Sequence, residues 1–167
     1  MTRIHSFAPA GNADAKVLIL GSMPGRESLK QNQYYAHPLN VFWTIMGELV
    51  GAYPGLPYVE RLSALKSSGI ALWDVLASCK RESSQDAHIR EEAANDFAAF
   101  FARHPHITQV FFNGAKAEQC FRKFVQGKHA LPPLQFRRLP STSPAHAGMR
   151  YADKLQAWRA VIKHYAA

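Results

Sequence analysis

The sequence predicts an α/β protein built on a mainly parallel sheet with helices on both faces. Apolar runs of strand length occur at residues 17–20 and 70–76, further strands are expected at 107–112 and 134–139, and helical patterns lie between and after them. Uninterrupted apolar runs are typical of strands buried on both faces, and strands that alternate with helices favour parallel pairing. A chain of 167 residues is most simply one domain, and we expect its core to span about residues 16–165.

The first two helices are predicted from apolar spacing and from the residues that end them. A helix is expected at residues 41–50, where Phe42, Ile45, Met46 and Leu49 recur at helical spacing before Gly51. The turn at residues 54–57 leads into a second helix, which ends at residues 67–69. The apolar run at 70–76 is expected to be one strand, followed by a polar loop at 78–88.

The second half of the chain repeats this alternation. A helix is expected at about residues 91–103, because acidic residues favour its first turn and three phenylalanines share one face. Asn113-Gly114 turns the third strand into a helix at 115–125, and residues 127–133 form a linker. Pro140 ends the fourth strand, a small-residue loop spans 141–148, and a final helix is expected at about 151–164.

Composition limits the possible function classes. The hydrophobic content of 47% is ordinary for a globular protein, and no stretch approaches the ~20 apolar residues that cross a bilayer. The first residues lack an apolar signal core, so a cytoplasmic location is expected. Cys79 and Cys120 cannot form a four-cysteine metal site, and this location argues against a disulfide.

The charge balance points to a polyanionic partner. A formal net charge of +8 makes nucleic acid the leading candidate, although a basic and merely solvated surface is the alternative.

One stretch concentrates groups suited to ligand recognition. The strand at 17–20 is followed by a turn with two glycines around a proline, which lets the backbone approach a ligand closely. The loop after it carries amides, aromatic rings and a histidine, namely Asn32, Gln33, Tyr34, Tyr35, His37 and Asn40. This composition is unusual for a connector, so we expect the chemistry here.

The carboxyl ends of all four predicted strands carry polar or glycine residues, namely Gly21-Ser22, Asp74, Asn113-Gly114 and Ser141-Thr142-Ser143. In parallel sheets, ligands bind outside the carboxyl ends of the strands, so one shared cleft is predicted. The sequence has no HExxH, GxSxG or phosphate-binding lysine motif, and its eight histidines are scattered. Amides, hydroxyls and aromatic rings suit a flat heterocycle, and we expect no metal and no cofactor.

Three segments carry a family resemblance: GSMPG after the first strand, YYAHPLNVFW after it, and STSPAHA after the fourth strand. Together they resemble the uracil-DNA glycosylase superfamily, and more closely its hypoxanthine-DNA (deoxyinosine) glycosylase branch. The resemblance implies a three-layer α/β/α sandwich around a four-stranded sheet. It also implies a monofunctional enzyme that flips a deaminated base out of double-stranded DNA and hydrolyses its N-glycosidic bond without a metal or cofactor. We expect it to act as a monomer.

The resemblance also implies roles for particular residues. Asn40 corresponds to the asparagine that carries catalysis in the hypoxanthine branch, and Phe42 to the aromatic residue on which the flipped base stacks. The base pocket is expected from the turn with Tyr35, Asp74 and Asn113, the turn being Gly21, Ser22, Met23, Pro24 and Gly25. The second motif, at Ser141 to His146, implies contacts with the DNA backbone and the wedge that replaces the flipped base. With neighbouring polar residues the expected DNA-binding set is His37, Ser141, Thr142, Ser143, Pro144, His146 and Arg150.

This chain departs from the uracil-specific pattern at two places. Ser22 and Met23 stand where that branch has polar residues that include an aspartate general base, and Ser141 stands where it has a histidine. Asp74 lies roughly where uracil-specific relatives use an asparagine to read the base.

Structural alternatives exist for each of these residues. Asn40 could cap the helix that follows, and Phe42 could be core. Asp74 could cap a neighbouring helix or pair with a basic side chain, and Asn113 could be a turn residue and N-cap.

Other functions are compatible with the sequence. A relative of the same superfamily could act on uracil or mismatched thymine. Two candidates come from other classes of protein: a nucleotide hydrolase or transferase, and a non-catalytic module that binds nucleic acid.

Overall fold

Four parallel strands form the central sheet of the computed structural model, which describes residues 2–83 and 88–163. The strands are β2 (Val17–Gly21), β3 (Ile70–Asp74), β6 (Gln109–Asn113) and β7 (Gln135–Leu139), in the order β3-β2-β6-β7. Gly21 is aligned with Asp74 across β2 and β3, and Asn113 with Leu139 across β6 and β7. The predicted four-stranded parallel sheet is confirmed.

Seven helices connect and cover these strands within the described residues: α1 (Arg26–Gln31), α2 (Phe42–Val50), α3 (Tyr58–Ser67), α4 (Phe97–Arg103), α5 (Ala115–Phe124), α6 (Tyr151–Trp158) and α7 (Ala160–Lys163). The short helix α1 lies where the sequence predicted only loop. The predicted final helix is divided at Arg159, and His164 at its expected end lies outside the described residues.

The main errors of the sequence-based prediction lie in residues 70–94. The apolar run at 70–76 is divided between β3 and β4 (Leu76–Lys80), and β4 pairs with β1 (Arg3–His5) and β5 (Arg90–Ala94) in a separate antiparallel sheet. Residues 78–80 are therefore strand and not loop, and residues 91–94 are strand and not helix; residues 84–87 of the predicted loop lie outside the described residues. The helix begins at Phe97 because the Asp96 side chain accepts the Ala99 N–H at 3.0 Å.

Two apolar clusters pack on opposite faces of the central sheet, which gives the three-layer arrangement. Leu18 and Leu20 face the cluster that contains α4 and α5, and Val17 and Ile19 face the cluster that contains α2, α3, α6 and α7. This two-sided burial explains why β2 is an uninterrupted apolar run, since neither face meets water. Among the described residues, no helix is long and apolar enough to span a membrane.

Candidate active site at the carboxyl edge of the sheet

The turn at residues 21–25 is fixed by the chain that follows β3. The N–H of Val75 donates to the Gly21 carbonyl at 2.8 Å, and that of Leu76 donates to the Ser22 carbonyl at 3.2 Å. The buried guanidinium of Arg81 donates to the Pro24 carbonyl at 2.5 Å. Sequence reasoning missed Arg81, because a basic residue in a predicted polar loop gives no local sign that it is buried.

Gly21, Asp74 and Tyr35 converge beside this turn. A Cβ atom on Gly21 would lie 2.6 Å from Asp74 Oδ1 and 3.1 Å from the Tyr35 hydroxyl oxygen. Asp74 is only 3% exposed, and Tyr35 has a left-handed backbone with φ of 55°. This conformation is costly for a bulky residue and is typical of functional loops. The structure thus brings together three residues that the sequence assigned to the base pocket.

The carboxylate also influences the neighbouring tyrosine. Burial raises the pKa of the Tyr34 hydroxyl above its usual range, and the negative charge of Asp74 adds to this effect. The hydroxyl donates to the Ala8 carbonyl at 2.8 Å. Tyr34 therefore stays a neutral structural donor behind the site.

Phe42 is fully buried, with its ring stacked on that of Tyr35 at a centroid distance of 4.1 Å. Its other ring contacts are edge-on, with Trp43 at 4.9 Å and Trp158 at 5.9 Å. A base could reach Phe42 only after Tyr35 moved, because Tyr35 is the partly exposed member of the stack. This packing favours the core alternative, and the stacking role of Phe42 stays a prediction.

Asn40 is held in a tight turn at the start of α2. Its backbone N–H donates to the His37 carbonyl at 2.9 Å, and its side-chain Oδ1 accepts the Phe42 N–H at 2.9 Å. The side chain therefore satisfies the N–H of the first helical residue in an Asx turn, whereas Val41 occupies the N-cap position and no side chain caps α2 there. This bond uses the carbonyl oxygen of the amide and leaves the amide nitrogen outside it, so the same residue retains a hydrogen-bond donor.

The loop after β7 is tied to the Asn40 loop and to β6. Thr142 accepts the Val41 N–H at its backbone carbonyl (3.1 Å) and exchanges two hydrogen bonds of 3.0 Å with the Asn113 side chain. Asn113 thus positions the second loop, which is closer to the structural alternative than to a base contact. The structure brings the two predicted motifs side by side.

Two residues that the sequence did not single out hold the rest of this loop. The Trp158 indole N–H donates to the Pro140 carbonyl at 2.9 Å, and the Lys154 ammonium donates to the His146 carbonyl at 2.6 Å. Burial lowers the pKa of Lys154. Both residues lie on the predicted final helix, whose amphipathic pattern does not reveal which side chains reach the loop.

A cleft of about 200 Å³ separates the two loops. Its walls include Leu39 and Val41 from the first loop and Thr142, Pro144 and His146 from the second. His37, Pro144, His146 and Arg150 are exposed, while Ser141 and Ser143 are partly buried. The Ser141 and Ser143 hydroxyls accept the N–H groups of Ser143 and Ala145, at 3.1 and 3.2 Å.

Two further observations bear on partners. Arg150 forms an exposed ion pair with Asp153 at 3.2 Å, which is weak enough to exchange for a phosphate contact. In the described part of the chain, no three His, Cys, Asp or Glu side chains are grouped as a metal site requires.

Comparisons with known proteins agree with this architecture. The family model of the uracil DNA glycosylase superfamily matches residues 8–164. A Methanosarcina acetivorans protein named hypoxanthine DNA glycosylase is 35% identical over 162 residues, which cover 96% of this chain and 98% of that protein. A Methanosarcina barkeri protein of the same name is 40% identical over 114 residues, covering 68% and 72% of the two chains.

A solved structure shares the fold. The solution NMR structure of a Methanosarcina acetivorans protein described as a candidate uracil DNA glycosylase superposes with a TM-score of 0.80 and 32% identity, covering 99% of this chain and 100% of that one. The matched sequence, the four-stranded sheet and the two loops at its carboxyl edge lead to one conclusion: this chain belongs to the uracil DNA glycosylase superfamily.

Proposed function

We propose that this chain is a monofunctional DNA glycosylase that removes hypoxanthine from DNA by hydrolysing the N-glycosidic bond. Two relatives carry the name hypoxanthine DNA glycosylase, and one of them matches almost the whole chain. The turn supports the same substrate class, because Ser22 and Met23 offer no carboxylate to serve as the general base of the uracil-specific branch.

The observation that carries the proposal is that only the oxygen of the Asn40 side-chain amide is used in the turn before α2. This oxygen accepts the Phe42 N–H, and this bond leaves the amide nitrogen unused, next in sequence to Leu39 and Val41 of the cleft lining. Departure of a purine leaves positive charge on the sugar and negative charge on the base. A fixed neutral donor can stabilise the departing base or orient a water without adding a charge that repels either.

The buried position of Asp74 makes it poorly suited to act as a general base in place of the missing carboxylate of the turn. Its carboxylate is buried beside Gly21, so water would reach it only if the surrounding side chains moved. We propose instead that Asp74 and Tyr35 shape the pocket wall.

The partner we propose is double-stranded DNA that contains a deaminated base. The net charge of +8 and the exposed His37, His146 and Arg150 near the cleft are suited to phosphates. The predicted monomeric state and the predicted cytoplasmic location are retained as proposals.

The experiment measures single-turnover release of hypoxanthine from an inosine-containing duplex in EDTA, with Asn40→Asp and Asn40→Ala compared with the wild type. Asn40→Asp keeps an oxygen that can accept the Phe42 N–H but loses the amide donor. We expect both variants to lose roughly a hundredfold or more in rate, as for removal of a preorganised electrostatic contact. Only Asn40→Ala should lose about 1 kcal/mol of stability.

Asn12→Asp is the matched control, because Asn12 is exposed in the turn that precedes the amino end of β2. Full activity of Asn40→Asp would reduce Asn40 to a capping residue. Parallel reactions with uracil and mismatched thymine separate the hypoxanthine reading from its nearest alternative, and DNA binding without release of any base would indicate a non-catalytic module.

A further inference from the structure

Arg81 directly follows β4, a strand outside the central sheet, yet its side chain reaches the turn at residues 21–25. It is a charged residue that is only 7% exposed. Its guanidinium donates to the Pro24 carbonyl at 2.5 Å, and a hydrogen bond from a charged donor is stronger than one between neutral groups. The end of a strand in the second sheet therefore holds one peptide of the predicted base pocket.

The carbonyls of this turn are bound by one stretch of the chain. Those of residues 21 and 22 accept backbone N–H groups from residues 75 and 76, which any residue type except proline would supply. The bond to the Pro24 carbonyl differs, because a side chain makes it. A single substitution at Arg81 can therefore remove this bond and leave the two backbone bonds in place.

The direction of the Pro24 carbonyl also sets the direction of the next N–H. In a planar trans peptide, the C=O and N–H groups point in opposite directions. Because the Pro24 carbonyl points to Arg81, the Gly25 N–H points to the other side of the turn. Helix α1 begins at the next residue, Arg26. A rotation of this one peptide would thus move the Gly25 N–H and the start of α1 together.

A second arginine links the same two segments in the opposite sense. Arg26 donates to the Glu82 carbonyl at 3.1 Å, but this bond is exposed. Water can replace either partner of an exposed bond, so its loss costs little, whereas a buried carbonyl that loses its donor stays unsatisfied. Arg26 is therefore the natural comparison for Arg81.

We propose that Arg81 is a positioning residue for base release, because its guanidinium fixes the peptide between Pro24 and Gly25. It acts through the turn and not through contact with the DNA. Its loss should slow base release from the bound DNA and leave the DNA affinity unchanged, since the phosphate contacts are proposed for other loops. This inference rests on the proposed function, in which the turn forms part of the base pocket.

The test measures single-turnover release of hypoxanthine from an inosine-containing duplex over a range of enzyme concentrations. Arg81→Met keeps a long side chain without a donor. We expect its rate at saturation to fall roughly tenfold to a hundredfold, with a half-saturating concentration within about twofold of the wild type. Arg81→Lys keeps a charged donor without the planar fork, so its rate should lie between the two, about threefold or more below the wild type.

Two controls separate positioning from stability. Arg26→Met removes the exposed link and should change the saturating rate by less than about threefold. Leu65→Ala opens a cavity in the cluster on the opposite face of the sheet from Met23, which lowers the Tm but should leave the saturating rate within about twofold. If Arg81→Met resembles Leu65→Ala, with a lower Tm and an unchanged saturating rate, the proposal is overturned. If Arg81→Met does not fold, a wild-type rate for Arg81→Lys overturns it.

An NMR amide spectrum tests the turn without turnover. The Gly25 N–H resonance should shift in Arg81→Lys, because the bond to the carbonyl of the same peptide changes, and it should stay in place in Leu65→Ala. An unshifted Gly25 resonance in Arg81→Lys would overturn the proposal. Failure of the wild type to release hypoxanthine would instead refute the proposed function, and the spectrum would still decide whether Arg81 positions the turn.

Discussion

Replacing Gly21 with alanine tests how closely Asp74 and Tyr35 pack over Gly21 at the proposed base pocket. The new methyl group would lie 2.6 Å from Asp74 Oδ1 and 3.1 Å from the Tyr35 hydroxyl, both closer than ordinary contact. Gly21 is not among the glycines with positive φ, so its backbone accepts alanine and the effect is steric.

The magnitude follows from two opposing terms. Overpacking a tight site costs about 1–3 kcal/mol, whereas replacing glycine stabilises by about 0.4–1 kcal/mol through the unfolded chain. We expect a net loss of about 1–2 kcal/mol, which lowers the Tm by about 2–8 °C for a chain of this size. Hypoxanthine release should fall as well, since Asp74 and Tyr35 must both shift.

The assays are thermal and urea unfolding together with single-turnover base release. Gly55→Ala is the control, because a Cβ there meets nothing within 4 Å; its stability should change by less than about 0.5 kcal/mol. A double-mutant cycle with Asp74→Ala isolates the contact, and the Gly21→Ala cost should shrink when Oδ1 is absent. The reasoning fails if Gly21→Ala behaves like Gly55→Ala, or if the cycle gives no coupling.

Two further predictions concern the second loop. Asn113→Ala should lower the free energy of unfolding in urea by about 1–3 kcal/mol, because it removes both hydrogen bonds to the buried Thr142. A loss equal to that of Asn12→Ala would contradict this role of Asn113. Since burial lowers the pKa of Lys154, the folded protein binds its proton less tightly than the unfolded chain, in which lysine titrates near about 10.4. The free energy of unfolding should therefore rise with pH between the lowered pKa of Lys154 and that value. This rise should be absent in Lys154→Met. Superimposable profiles of unfolding free energy against pH for the two proteins would contradict the prediction.

The sequence by itself determined the central sheet and the edge at which the site lies. The runs at β2 and β3 are apolar because both of their faces are buried, and that pattern is local enough to be recognised directly. β7 is an edge strand whose residues 135–138 are exposed. Parallel pairing then requires Gly21, Asp74 and Asn113 to meet at one edge, as they do. The turn that Asn40 makes is also local, since the partner of its side-chain oxygen is two residues away.

Tertiary structure alone decided which side chains hold the site together. Residues 90–94 form a strand because β4 offers a partner, whereas their own pattern favours a helix. Arg81 reaches Pro24 across 57 residues, Asn113 reaches Thr142 across 29, and Tyr35 covers Phe42 through an unusual backbone conformation. Propensity and periodicity describe neighbours along the chain, and these contacts form only after the sheet has placed distant segments side by side.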